Sequence, residues 1–233
     1  MMFDHLCFAA PIATVMVALG LARGAEAQAP NDGPAGDPQR GAVIAAQGTP
    51  TGAPPCAQCH AFNGMSDGTG AFPRIAAQSS YYLAAQLRAF ASGVRANSVM
   101  SAIAKAMTPQ DIADVTAYYA GLNPPFPPLA KPDAALMKSG EELAKVGNET
   151  RGIQACDNCH GPGGVGEPPA IPYLAGQYAT YIALELHMWQ RGFRKTSPNE
   201  MAVVAEALND QEIAAVAAYY QQVRDGDNVA ASP

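Results

Sequence analysis

Leu83, Leu87 and Phe90 fall at i, i+4 and i+7, one face of a helix spanning about residues 81–92. Ile182, Leu186 and Trp189 repeat that spacing in a second helix over about 181–191. Thr108, Pro109 and Asp111 form a helix start, with Thr as N-cap, Pro at the first turn and an acid at the third position. Asn209 to Glu212 give the same signal a hundred residues later. No stretch alternates apolar and polar residues long enough to predict a strand. The pattern predicts an all-α protein with long loops such as 61–73, and long loops in a compact domain need a reason.

The matching spacings extend into a tandem repeat with an offset of 99 to 101. Gly41 and Gly48 match Gly140 and Gly147. Pro73 and Gln78 match Pro172 and Gln177, Gly93 and Arg95 match Gly192 and Arg194, and Met100 matches Met201. Ile112, Val115, Tyr118 and Tyr119 match Ile213, Val216, Tyr219 and Tyr220. This predicts two copies of one domain, at 28–120 and 135–225. Between them, residues 121–134 form a linker whose five prolines forbid a helix and favour an extended, stiff path. A polar tail follows at 226–233.

The segment Leu6 to Ala22 is almost wholly apolar, and Ala25-Glu26-Ala27 supplies a small-x-small site. This predicts a signal peptide at 1–27, cleaved after Ala27, and so a secreted, periplasmic protein. An uncleaved anchor is the rival reading, although the run is short for a bilayer and contains Pro11. With a net charge of −6 and no basic cluster, nucleic acid is excluded as a partner. Residues 28–128 carry five basic and five acidic side chains, residues 129–233 eight and thirteen. Such a difference can orient a protein partner.

Of five cysteines, only Cys7 lies in the leader. The other four form Cys56-Ala-Gln-Cys59-His60 and Cys156-Asp-Asn-Cys159-His160. Cys-x-x-Cys-His is the attachment signal of covalent c-type haem: two thiols one helical turn apart bond the porphyrin vinyl groups, and the next residue gives the iron an axial nitrogen. Zinc Cys pairs sit closer together, a redox pair would need a strand–helix context, and a disulfide between cysteines three apart is strained. Two haem c groups are therefore predicted, with His60 and His160 as axial ligands.

For the sixth position the mature chain offers one further histidine, His187, whose repeat partner is Arg88. Among methionines only Met100 and Met201 are repeated, and they are the predicted second ligands. The carbonyls of Pro73 and Pro172 are candidate acceptors for the other imidazole nitrogen, with loop stiffening the alternative role. Tyr82, Tyr181, Arg95 and Arg194 are candidates for haem propionates or for packing. The glycine-rich run Gly161–Gly166 lacks the Lys and Ser/Thr of a phosphate loop.

Taken together, the doubled CxxCH, the runs Pro73–Gln78 and Pro172–Gln177, Gly93-x-Arg95, the downstream methionines and the terminal Ile-x-x-Val-x-x-Tyr-Tyr resemble the diheme cytochrome c4 family over nearly all of 40–224. The resemblance implies two cytochrome c domains related by pseudo-two-fold symmetry. It implies periplasmic electron transfer from a quinol-oxidising cytochrome complex to a terminal oxidase, with membrane-bound respiratory complexes as donor and acceptor. With both irons six-coordinate, the expected protein is a relay with no small-molecule substrate, not an enzyme. The alternatives are a diheme electron-accepting subunit of a periplasmic dehydrogenase and, further off, a diheme redox enzyme, which needs an open or differently ligated iron.

Overall fold

The computed structural model describes residues 33–126 and 132–224. The leader, the middle of the linker and the tail lie outside the described residues. Ten α-helices follow one another: α1 Pro38–Gln47, α2 Ala57–His60, α3 Ser80–Ser92, α4 Met100–Lys105, α5 Pro109–Ala120, α6 Ala134–Lys145, α7 Asp157–His160, α8 Ala179–Gln190, α9 Met201–Ala207 and α10 Asp210–Gln222. The first five and the last five correspond in order, and the described residues contain no sheet, only isolated bridges.

Both predicted N-caps form. Thr108 and Asp111 make a reciprocal capping box on α5, and Asn209 and Glu212 make the same one on α10. The α3 stripe turns inward, with Leu83 and Leu87 against the first core and Phe90 buried, and Ile182, Leu186 and Trp189 of α8 are buried in the second. Helices α1 and α6 escape the sequence analysis. They are started by the side chains of Asp37 and Asp133 and are held by the helices they cross. At each crossing a glycine touches backbone. A Cβ on Gly41 would stand 2.1 Å from the carbonyl oxygen of Asp114, and one on Gly140 would stand 2.1 Å from that of Ala215.

The two halves share a network of reciprocal bonds. The N–H of Ala96 donates to the carbonyl of Phe193 at 3.0 Å, and the N–H of Lys195 to that of Val94 at 2.9 Å. Arg95 Nη2 reaches Tyr181 Oη at 2.5 Å, and Arg194 Nη2 reaches Tyr82 Oη at 3.1 Å. Each residue of one bond is the repeat-mate of a residue in the other, which is the signature of a two-fold relation between the halves. These arginines and tyrosines, candidates for propionates or for packing in the sequence analysis, meet one another across the joint. Within this arginine and tyrosine cluster the symmetry breaks at Glu185. Glu185 takes both guanidinium groups, from Arg95 at 2.5 Å and Arg194 at 2.6 Å, whereas its repeat-mate is the neutral Gln86. Gln86 Oε1 accepts from the same two arginines at 2.9 and 3.2 Å.

The described part of the linker is docked rather than free. Residues 122–126 are non-helical, as their prolines require, and Phe126 lies between the guanidinium groups of Arg74 and Arg224 at 4.4 and 4.5 Å. It rests on the backbone of Gly176, where a Cβ would overlap its ring.

Candidate haem sites

Each CxxCH motif forms a single helical turn, α2 or α7. The N–H of His60 bonds the carbonyl of Cys56 at 2.9 Å, and His160 does the same with Cys156 at 2.9 Å. That turn puts the two sulfurs of each motif on adjacent positions and directs the histidine inward. Both histidines are buried, at 8 % and 7 % exposure.

Their ring orientation is set by carbonyls. His60 Nδ1 lies 3.1 Å from the oxygen of Pro73, and His160 Nδ1 lies 2.9 Å from that of Pro172. A carbonyl only accepts, so Nδ1 carries the proton and Nε2 keeps its lone pair. Burial lowers both imidazole pKa values, opposed by these same hydrogen bonds, so each ring is neutral at pH 7. A neutral imidazole with a free Nε2 and an anchored Nδ1 is the form that ligates iron. Of the two roles weighed for Pro73 and Pro172, the acceptor role is the one their geometry serves.

The thiols of Cys56, Cys59, Cys156 and Cys159 are all unpaired. Burial pushes Cys56 and Cys156 up to about 11. Redox-active pairs work the opposite way, through a lowered thiol pKa, so the thioredoxin-like alternative loses its chemistry. Zinc fares no better: among the described residues, no three His, Cys, Asp or Glu side chains are gathered for a metal. Each site thus offers a lone imidazole beside two thiols. Such a set fits a metal that arrives with its own equatorial donors, and a porphyrin with vinyl groups for the thiols satisfies both halves of it.

Met100 and Met201 begin α4 and α9, equivalent places in the two halves, and both are half-buried. The side chain of Asn97 caps the turn before Met100, accepting from the N–H groups of Val99 and Met100 at 2.9 and 2.8 Å. Met201 also packs against the second core. Met65 Sδ accepts from Arg74 Nε at 3.2 Å, and Met107 and Met137 pack on the two cores. His187 Nδ1 pairs with Gln190 Oε1 at 2.9 Å on the surface of α8, a local contact without a counterpart in the first half.

The turn after each histidine differs in one respect. Gly161 has φ 73° and ψ 163°, a region open to glycine, while Ala61 holds φ 56° and ψ 161° with a side chain. Its carbonyl is gripped by Tyr119 Oη at 3.3 Å. Ala61 is strained by about 1–3 kcal/mol. Ala61→Gly is expected to stabilise the first half by about 1 kcal/mol after the entropy of an added glycine is subtracted, and Gly161→Ala to destabilise the second. Paired thermal melts followed by circular dichroism check both signs.

One site-related pair was present in the repeat and had no role assigned to it, Gln78 and Gln177. Their recurrence in the two Pro-to-Gln runs was the only signal, because the bonds they make cross from one half to the other.

Comparison with known proteins agrees with this geometry. Residues 39–123 match the cytochrome c family, and residues 142–219 match the family described as cytochrome c oxidase, cbb3-type, subunit III. The chain is 40% identical over 169 residues to the thiosulfate dehydrogenase electron acceptor of Thiomonas intermedia, covering 72% of this chain and 78% of that one. It is 39% identical over 189 residues to cytochrome c4 of Thiocapsa roseopersicina, covering 80% and 92%. Among solved structures, reduced cytochrome c4 from Pseudomonas stutzeri matches with a TM-score of 0.71 at 30% identity, over 82% of this chain and 100% of that one. No helix among the described residues is long and apolar enough to cross a membrane. The protein is a diheme electron-transfer cytochrome carrying two covalent haem c groups, and its chain belongs to the cytochrome c4 family.

Proposed function

We propose that this cytochrome is a periplasmic relay whose first haem is held by Cys56, Cys59, His60 and Met100 and whose second is held by Cys156, Cys159, His160 and Met201. The observation that carries this assignment is the doubled arrangement of a buried neutral histidine, Nδ1 on a proline carbonyl, one residue after a pair of free thiols. The haem supplies the one-electron iron couple. The protein's part is to hold the ligands still. Pro73 and Pro172 fix the imidazole planes, Asn97 caps the turn that presents Met100, and the reciprocal joint keeps the two sites at a constant separation. With a histidine and a methionine as its protein ligands each iron would have no position left for a substrate, which suits relay rather than catalysis.

Donor and acceptor are protein surfaces. The first reading places the protein between a quinol-oxidising cytochrome complex and a terminal oxidase. A second reading, the electron acceptor of a periplasmic dehydrogenase, is favoured by the 40% and 38% identity to two proteins named thiosulfate dehydrogenase electron acceptor. The rates at which a thiosulfate dehydrogenase and a quinol-oxidising complex reduce the purified protein separate the two.

The ligand set has its own test. The ferric protein is expected to show the weak red charge-transfer band of methionine–iron bonding at two-haem intensity. Met100→Ala and Met201→Ala are each expected to remove half of it and to lower one potential, since methionine ligation raises it. A full-intensity band in either variant overturns that methionine's assignment.

A further inference from the structure

Gln177 makes a two-bond clamp on the backbone of the opposite half. Its Oε1 accepts from the N–H of Arg74 at 2.9 Å, and its Nε2 donates to the carbonyl of Arg74 at 2.8 Å. Gln78 does the same to Tyr173, donating to its carbonyl at 2.5 Å and accepting from its N–H at 3.2 Å. Both glutamines are 6 % exposed. Arg74 follows Pro73, the carbonyl partner of His60, and Tyr173 follows Pro172, the partner of His160. Each glutamine therefore accepts from the N–H of the same peptide unit whose carbonyl orients the histidine of the other half, and donates to the carbonyl of the next. Bonds within each half, from Ile75 and Leu174 N–H to Gly64 and Gly164 carbonyls, secure the far side of the same loops. The near side of the first loop, both polar groups of Arg74, is held across the joint.

We propose that Gln177 and Gln78 are positioning residues that tune the iron site of the opposite domain, Gln177 acting on His60 and Gln78 on His160. The physical route is short. The hydrogen bond from Nδ1–H to a fixed carbonyl raises the basicity of the ligating imidazole and fixes its plane. A more basic imidazole favours ferric iron. Loosening the clamp lets the proline carbonyl drift, weakens that bond and makes the haem easier to reduce. A change in one half is thereby expressed as a potential change in the other, which gives the pair of haems a mechanical as well as an electrostatic coupling.

This inference rests on His60 and His160 being the haem ligands, and the wild-type red band together with two haems per chain tests that reading separately. The experiment uses the full diheme chain carrying Gln177→Leu or Gln78→Leu. Each haem is followed by its hyperfine-shifted methyl NMR signals during a redox titration, and exchange of the His60 and His160 Nδ1 protons with solvent is measured on the same samples. For Gln177→Leu the reduced-to-oxidised ratio of the first haem at fixed ambient potential is expected to rise roughly two- to tenfold, the scale of one weakened hydrogen bond. The second haem stays where it was, and the His60 proton exchanges faster. Gln78→Leu is expected to give the mirror result. Should Gln177→Leu load fewer than two haems, Gln177→Met is read the same way, since it is of similar length, adds no charge and makes neither bond to Arg74. Movement of the haem in the mutated half, equal movement of both, or no movement with the red band intact overturns the proposal.

Discussion

Glu185→Ala is expected to lower the stability of the described fold by about 3 kcal/mol or more, the cost of leaving buried guanidinium charge without its carboxylate. Arg95 and Arg194 are 4 % and 5 % exposed, and this one carboxylate pairs with both, offsetting one of their two charges. Gln86 supplies dipoles to the pair and no charge. For a chain of this size the loss corresponds to roughly 6–12 °C in melting temperature, read by circular dichroism. The pH dependence has a definite sign. Burial pushes the Glu185 carboxyl up, but the coulombic pull of Arg95 and Arg194 and their hydrogen bonds outweigh it and hold it below the ordinary glutamate value. A depressed carboxylate stabilises the fold above its unfolded pKa, about 4.3, and that stabilisation is lost as pH falls from there through the folded value. The wild type is therefore expected to lose stability steeply below about pH 4, with a shallower acid limb in Glu185→Gln. Equal acid limbs in the two proteins would show that Glu185 does not govern the joint.

Gly140→Ala comes next in size, at about 3 kcal/mol of destabilisation. Alanine is the better helix former by about 1 kcal/mol, so on an isolated α6 the sign would be reversed. The crossing decides otherwise. The new methyl would stand 2.1 Å from the carbonyl oxygen of Ala215 and 2.8 Å from the Cβ of Tyr219. Neither atom can retreat without moving α10, so the helices must separate and the contacts of Leu143 and Ala144 around the crossing loosen with them. Gly41→Ala repeats the test on α1 against Asp114 and Tyr118, at the same 2.1 Å. Chemical denaturation of both variants measures the loss. A variant as stable as the wild type would mean that the helices are not in contact at the glycine.

The charge difference between the halves leads to a test of a different kind. The second half carries the acidic excess, and exposed charges steer partners only within about a Debye length. Electron transfer with a basic partner is accordingly expected to slow as ionic strength rises.

Much of this protein could be read from its one-dimensional pattern. The CxxCH turns, the capping boxes of α5 and α10, the inward stripes of α3 and α8 and the doubling of the chain depend on residues within a few positions of one another, and local geometry leaves them little freedom. The repeat also singled out Met100, Met201, Pro73 and Pro172, because a residue kept in register in both copies serves the shared architecture. Helices α1 and α6 were not assigned from the sequence, and what fixes their place is the close crossing of Gly41 and Gly140 with α5 and α10. The roles of Gln78, Gln177, Arg95, Arg194 and Glu185 were out of reach for a related reason. Their partners across the joint lie 86 to 112 residues away, and a polar side chain shows no preference for a distant partner until the halves have packed and water has been excluded. What the sequence by itself determined was the identity of the two haem-binding units. Only the tertiary structure decided how they are joined, because that joint is made of buried hydrogen bonds and a shared charge whose energy exists only once both surfaces are in place.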